Sequence, residues 1–569
     1  MTVRITTLLW RTMPTMLLCA STASAQDGAA GGWGRAPEAT AATAGGTAAW
    51  MHAWSPLRST GDVVRGLLRA PLAPSLLTAP APRAGAFVLA GAPGALGRDL
   101  MAASAPRGFS GGDSARFGEV RVRAATETGS YRRPLDMAES QATQVSGGGY
   151  APVGKRGVVM GQFTVDREQH DQSAFAQRVG VYGSSPFVVT DSVTPPMQRT
   201  RARLEGALGL RLGQFGVGAS AALESREHFS ADFPLRRTGR HAVPALSAGI
   251  ERVLPWFGAR VGTYYRWTEP VETNSLNPTP LATNVYQIQG YDEPVGLVIA
   301  SGNQLFVRNE KRASVVGGTA EFSAFGARIV LVHEQGDRRE DQYFLITART
   351  RPTDRWRANG TDSRLQMQRT VLGRGLLTLV GSMQTLTGTA SRQDLTGIVF
   401  EGRDEVLSGE ADLRWRLGPR WQVAAMAGGT QRRFTREDFV VSLRTRVESS
   451  TPFVGGEVAR SLGAAASNGD VVHGVALGGS WAAVAPAGAV PATTNRGASY
   501  RRLIAPALSY DLAQSRALGA WATVRTLLGA TPLWVTVRMD KTQPGTEAPS
   551  RLQPSGERSV WSLSLGLRP

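Results

Sequence analysis

The chain closes on Ser559-Val560-Trp561-Ser562-Leu563-Ser564-Leu565-Gly566-Leu567-Arg568-Pro569. Trp561, Leu563, Leu565 and Leu567 alternate strictly with Ser562, Ser564, Gly566 and Arg568. Successive side chains of a β-strand point to opposite faces, so this is a strand with one wholly apolar face. A soluble sandwich also has such strands, with the apolar face turned to a second sheet. At the end of an exported chain, the pattern is that of the strand that closes an outer-membrane barrel. Trp561, Leu563, Leu565 and Leu567 would then meet outer-membrane lipid and be read by the assembly machinery. Such strands usually end on an aromatic residue, whereas this one ends Leu-Arg-Pro.

The opposite end supports export. Arg4 and Arg11 precede an apolar stretch at Met13–Ala20, and Ala23-Ser24-Ala25 offers a cleavage site. Residues 1–25 therefore read as a secretory signal peptide. The single cysteine, Cys19, falls within it, so neither a disulfide framework nor a cysteine metal site is expected. Beyond residue 25 no apolar run approaches the ~18 residues of a membrane-spanning helix. Residues 26–115 are rich in Ala, Gly and Pro, as in Ala79-Pro80-Ala81-Pro82, with short helical patterns at 61–68 and 94–103. They read as a weakly structured segment, periplasmic or inserted in the lumen.

From residue 116 to 569 the alternation of the last strand recurs. Leu204, Leu208, Leu210 and Leu212 oppose Arg203, Glu205 and Arg211. Leu407, Ala411, Leu413, Trp415 and Leu417 oppose Ser408, Glu410, Asp412, Arg414 and Arg416. Leu533, Val535, Val537 and Met539 oppose Thr536, Arg538 and Asp540. Val120, Val122 and Ala124 oppose Glu119, Arg121 and Arg123. Runs of roughly 9–12 residues suit a tilted crossing of the hydrocarbon layer. Short turns such as Leu212-Gly213-Gln214, Phe325-Gly326 and Leu417-Gly418-Pro419-Arg420 alternate with long polar connections at 167–199, 225–241, 268–300, 386–404, 483–498 and 541–557. That asymmetry belongs to outer-membrane barrels, and Trp256, Trp267, Trp415, Trp421 and Trp561 fall where their aromatic girdles stand. The 66 glycines fit many short turns and strands better than packed helices.

The expected fold is thus all-β: a transmembrane antiparallel barrel of roughly 14 to 18 strands, with a short irregular or helical N-terminal segment. The count leaves a conflict. If the strand near 119–126 runs outward and the one near 157–166 returns, the long segment 167–199 falls on the short-turn side. Either one of these runs does not span, or a further strand lies between them.

The net charge of +18 raises nucleic-acid binding. The basic residues are almost all arginine, with lysine only at 155, 311 and 541, and they are spread rather than gathered in one stripe. A polar interior explains them without nucleic acid. The expected lumen-lining residues are Arg121, Arg123, Arg203, Glu205, Arg211, Glu410, Asp412, Arg414, Arg416, Arg444, Arg446, Arg538 and Asp540. Excess arginine there would favour anions, whereas ion pairs would pack the lumen shut.

No catalytic constellation emerges. The six histidines show no His-Glu-x-x-His spacing, and no Gly-x-Ser-x-Gly elbow stands at a strand-to-helix junction. Gly91, Gly94 and Gly97 lack the strand and helix that a nucleotide loop requires. His333 and His473 sit within alternating runs and are expected to be structural. No metal, cofactor or enzymatic activity is expected. The expected function is a pore, or a channel that binds and takes up a small solute. The alternatives are a non-conducting barrel whose long loops bind a partner, and an outer-membrane hydrolase.

Three short elements carry a family resemblance: Gly161-Gln162-Phe163-Thr164-Val165, Ser185-Pro186-Phe187-Val188-Val189-Thr190-Asp191, and Phe233-Pro234-Leu235-Arg236-Arg237. Through them the region from Gly148 to Glu251, about a fifth of the chain, resembles an uncharacterised family of Gram-negative outer-membrane β-barrel proteins. The resemblance implies a barrel and an outer-membrane address, and brings no catalytic residues.

Overall fold

The computed structural model describes residues 117–567, apart from 132–138, 155–156, 172–186, 192–195, 231–234, 255–258, 270, 278–282, 290–294, 300–304, 345–352, 373–374, 419, 463–472, 489–504, 530 and 546–554. The expected signal peptide 1–25, the N-terminal segment 26–115 and Trp256 lie outside the described residues.

The elements follow in chain order: β1 (Phe117–Gly129), β2 (Glu139–Val153), β3 (Gly157–Asp171), β4 (Phe187–Asp191), β5 (Met197–Leu212), β6 (Phe215–Ser230), β7 (Leu235–Leu254) and β8 (Ala259–Thr268). Then come β9 (Val271–Asn277), β10 (Thr283–Gln289), β11 (Val295–Ile299), β12 (Leu305–Ala324), β13 (Ala327–Phe344), β14 (Asp354–Val371), β15 (Gly375–Arg392) and β16 (Phe400–Arg416). The chain ends with β17 (Trp421–Asp438), β18 (Leu443–Ser461), β19 (Gly474–Gly488), a short helix α1 (Ala505–Asp511), β20 (Ser515–Leu528), β21 (Thr531–Pro544) and β22 (Arg558–Leu567).

The long strands pair antiparallel with their sequence neighbours, and β22 returns to β1, with Leu567 opposite Val120 and Arg558 opposite Gly129. The sheet is therefore closed and has no edge. β8 and β9 share one place between β7 and β12, as a broken strand. Counted so, the barrel has 18 strands. β4, β10 and β11 form a separate three-stranded sheet that ties together the β3–β5 and β9–β12 connections.

The conflict in the strand count is resolved by β2, the strand between 119–126 and 157–166. It pairs with β1 on one side and β3 on the other. Its outward positions include Gln141, Thr143 and Gly147 beside Val145 and Val153, so the apolar alternation is interrupted. The ladders on both sides hold it instead. With β2 in place, the β3–β5 connection falls at the same end of the barrel as the β9–β12, β19–β20 and β21–β22 connections. The tight turns after β5, β12, β14 and β16 fall at the other end. The short β17–β18 turn and the twelve-residue β18–β19 connection are exceptions to this sorting. At the tight turn Phe325-Gly326 both residues have positive φ, 54° and 69°. That is the type I′ combination, whose twist matches the strands it joins.

The strands are longer than the sequence implied. β12 and β7 have 20 residues each, and most others 14 to 19. At about 3.3 Å per residue and ~40° tilt, 18 residues rise roughly 45 Å, well beyond a ~25 Å apolar band. Much of what reads as loop at 225–241, 386–404 and 541–557 is consequently strand: β6 reaches Ser230, β15 Arg392 and β21 Pro544.

Alternation sorts the two faces. Along β20 buried and exposed positions alternate without a break from Ser515 to Arg525. The exposed set there includes Leu518 and Val524, and elsewhere Leu204, Leu208, Val454, Val458, Leu563 and Leu565. The buried set holds Thr523, Arg525, Arg538, Asp540 and Glu457. Apolar side chains thus face outward and charged ones inward, the reverse of a water-soluble fold.

Glycine abundance has a packing cause on these faces. Gly478 stands directly opposite Trp521, Gly566 opposite Trp534 and Gly317 opposite Tyr264. In each pair the ring lies across the glycine, where a Cβ would overlap it. The glycine lets a large inward side chain lie flat against the wall.

Candidate functional site: the charged inner wall

The inner wall holds its charges in short clusters. On β17, Arg432 grips Asp404 of β16 with two parallel bonds, Nε to Oδ1 at 3.0 Å and Nη2 to Oδ2 at 2.6 Å. Arg432 and Arg436 both pack on the ring of Phe434, at 5.1 and 4.4 Å from its centre. The stacking fixes the guanidinium planes, which strengthens a fork-to-fork contact. Nearer the long loops, Lys311 Nζ lies 3.4 Å from Glu272 and 3.9 Å from Glu340. Arg338 is 3.6 Å from Glu340 and sits 5.5 Å over the ring of Trp356. Tyr264 donates to Glu334, and Arg266 stands 3.6 Å from the same carboxylate. Trp521 donates its indole N–H to Glu457 at 2.6 Å. At the closing seam, Arg558 of β22 meets Glu127 of β1.

Same-strand pairs two residues apart recur on this face. Arg538 forks onto Asp540 at 2.8 and 2.7 Å, and Arg414 lies 3.4 Å from Asp412. A period of two puts both members on one face, so each strand neutralises its own arginine. Glu224 gathers Arg203 at 3.3 Å, Arg201 at 3.0 Å and Arg226.

The structure thus places Arg121, Arg123, Arg203, Glu410, Asp412, Arg414, Arg416, Arg538 and Asp540 on the inward face. For Glu205 and Arg211 only the backbone of β5 is described. Arg444 and Arg446 are a correction: they face outward, and their inward neighbours are Leu443, Thr445 and Val447. Outside the hydrocarbon layer an outward charge costs little, so charge alone does not identify the face there. Val454 and Val458, further along the same strand, fix it. Among the tryptophans, Trp267, Trp415, Trp421 and Trp561 lie on outward positions, Trp415 and Trp421 beside the tight turns.

Sequence reading missed Glu127, Asp404, Arg432, Lys311, Glu272, Glu334, Glu457 and Arg558. Parity with a neighbouring apolar row would have put several of them inward. Their partners, up to 431 residues away, are set by the barrel's closure. His333 and His473 are both exposed. Their Nδ1 atoms lie 2.8 Å from Ser363 Oγ and 3.0 Å from Thr526 Oγ1. Among the described residues no group of His, Cys, Asp and Glu could hold a metal ion.

This geometry defines a closed β-barrel with an apolar exterior and an ion-paired interior. A profile described as a family of unknown function (DUF6850) matches residues 108–568, and the chain belongs to that family. The match covers the whole barrel rather than the fifth of the chain that carried the resemblance. No curated protein matches the chain. Similar solved structures include BauA, the ferric preacinetobactin receptor from Acinetobacter baumannii, at 10% identity and TM-score 0.34, over 80% of each chain. The ferric enterobactin receptor PfeA is 9% identical, with TM-score 0.39, over 80% of this chain and 82% of its own. The ferripyoverdine receptor of the Pseudomonas aeruginosa outer membrane is 8% identical, with TM-score 0.34, over 79% and 72%.

Proposed function

We propose that the protein spans the outer membrane of a Gram-negative cell, with its long connections outside, and that it binds or passes a small polar solute through its lumen. One observation carries this reading: the same strands turn leucine and valine rows outward and charged clusters inward. Water cannot be the solvent of the outward face without exposing a continuous apolar belt. In lipid that belt is satisfied, and the interior is where a polar solute would be met.

Arginine paired with acid at each described cluster argues against the strong anion preference that composition alone implies. Selectivity would come from local arginine–carboxylate doublets facing the solute. Non-catalytic function is part of the proposal, with His333 and His473 as structural side chains. Planar-bilayer recording of the purified protein tests it: discrete conductance steps are expected, and an ion-tight barrel removes the pore reading.

A second reading has its own observation. The sheet of β4, β10 and β11 joins two long connections, which pre-organises a surface at that end. A silent barrel that loses partner binding when 278–304 is deleted, while staying folded, would favour a surface-binding protein.

A further inference from the structure

The outer wall carries a second charged site, above the apolar belt of β16–β18. Cross-strand register arranges its outward residues in rows. From the tight-turn end these are Trp415–Val423–Val458, Leu413–Ala425–Gly456, Ala411–Ala427–Val454, Gly409–Gly429–Pro452 and Leu407–Gln431–Ser450. Then the chemistry changes abruptly. The next rows are Glu405–Arg433–Glu448, Arg403–Thr435–Arg446 and Glu401–Glu437–Arg444. The charge begins where the apolar surface stops.

In the first two of these rows the acids lie closer to the wall than the arginines, whereas in the outermost row Glu401 is exposed and the Glu437 side chain is 40% exposed. Side-chain exposure is 65% for Arg403, 60% for Arg446 and 70% for Arg444, against 29% for Glu405 and 38% for Glu448. Glu405 and Glu448 hold the guanidinium heads from the belt side: Arg403 Nη2 reaches Glu405 at 2.6 Å, Arg446 Nη2 reaches Glu448 at 2.6 Å, and Arg433 Nε reaches Glu448 at 2.9 Å. In the middle row two arginines flank the small side chain of Thr435. Their backbones are two strand spacings apart, about 10 Å. That spacing leaves room for one tetrahedral oxyanion over the hydroxyl, and each guanidinium keeps N–H donors beyond those it gives to its own carboxylate.

We propose that Arg403, Thr435 and Arg446, supported by Arg433, bind the phosphate of an outer-leaflet glycolipid headgroup, of the bisphosphorylated lipid A class. The position selects a lipid source, because the row stands just beyond the end of the apolar belt, at the depth where headgroup phosphates lie. The phosphate would take hydrogen bonds from both guanidiniums and the Thr435 hydroxyl, while the acyl chains lie along Leu407, Leu413 and Val454. This inference rests on the membrane reading given above.

The test uses the full-length protein in detergent, with native mass spectrometry reading retained lipid. Bisphosphorylated and dephosphorylated lipid A are offered in competition. The wild type is expected to prefer the phosphorylated lipid, and Arg403→Gln with Arg446→Gln to lose that preference by about tenfold or more, as for two charge-assisted contacts. The conservative pair Arg403→Lys with Arg446→Lys keeps the charge and should retain part of it. Equal retention of both lipids by the wild type, unchanged preference in the glutamine variant, or displacement by inorganic phosphate would each overturn the proposal. Heat-modifiable migration checks that each variant is folded. A barrel that inserts into liposomes yet ignores the phosphate sinks this inference alone. A chain that stays in the aqueous fraction sinks the membrane reading itself.

Discussion

Arg432 and Arg433 are neighbours on β17 and live in different solvents. Arg432 points inward, is almost fully buried, and is forked onto Asp404 over the ring of Phe434. Arg433 points outward, is half exposed, and shares Glu448 with Arg446. Both make short ion pairs, so distance does not separate them. Parity does. A step of one residue along the strand moves a guanidinium from the barrel interior to its outer wall, and with it the cost of losing the partner.

Four substitutions sharpen or break this comparison. Arg432→Met leaves Asp404 buried without its fork, and should destabilise the barrel by about 3–5 kcal/mol in urea unfolding. If it costs nothing, the interior is wet enough to solvate a bare carboxylate. Leu563→Arg puts charge in the middle of the apolar belt of β22, and is expected to cost about 2–4 kcal/mol in the same assay in lipid vesicles. A neutral result there would mean that Leu563 does not face hydrocarbon. Gly478→Val forces Trp521 off the wall and away from Glu457; a loss of about 1–3 kcal/mol, with a change in tryptophan fluorescence, is expected. Arg433→Ala should leave the unfolding midpoint where it is, because an exposed ion pair contributes little. A drop as large as that of Arg432→Met would erase the distinction between the faces.

Which parts were legible follows from the same distinction. Rows that face the apolar belt announce themselves, so β5, β16, β21 and β22 can be read directly, and the closing strand does close the barrel. The observed 18 strands fall at the upper end of the expected range. β2 was illegible because polar residues and glycine interrupt Val145 and Val153 on its outward face, and its place comes from two neighbouring ladders. Arg444 and Arg446 misled because the strands run on past the belt, where either face tolerates charge. Leu443 and Val447, apolar but inward, completed the false pattern. The clusters of the inner wall were only half legible: same-strand doublets such as Arg538–Asp540 show in the sequence, whereas Arg558–Glu127 needs the circle to be closed first.

The central claim is that the leucine and valine rows meet lipid while their neighbours look inward. Nitroxide scanning of β22 tests it most directly. Single cysteines are placed in turn at 559 to 566 in a Cys19→Ser chain, labelled, and reconstituted in vesicles. Collision with oxygen, which concentrates in lipid, is compared with collision with a water-soluble nickel complex. Oxygen collision should peak at 561, 563 and 565 and fall at 562, 564 and 566. Equal access of the nickel complex to both sets would contradict the account.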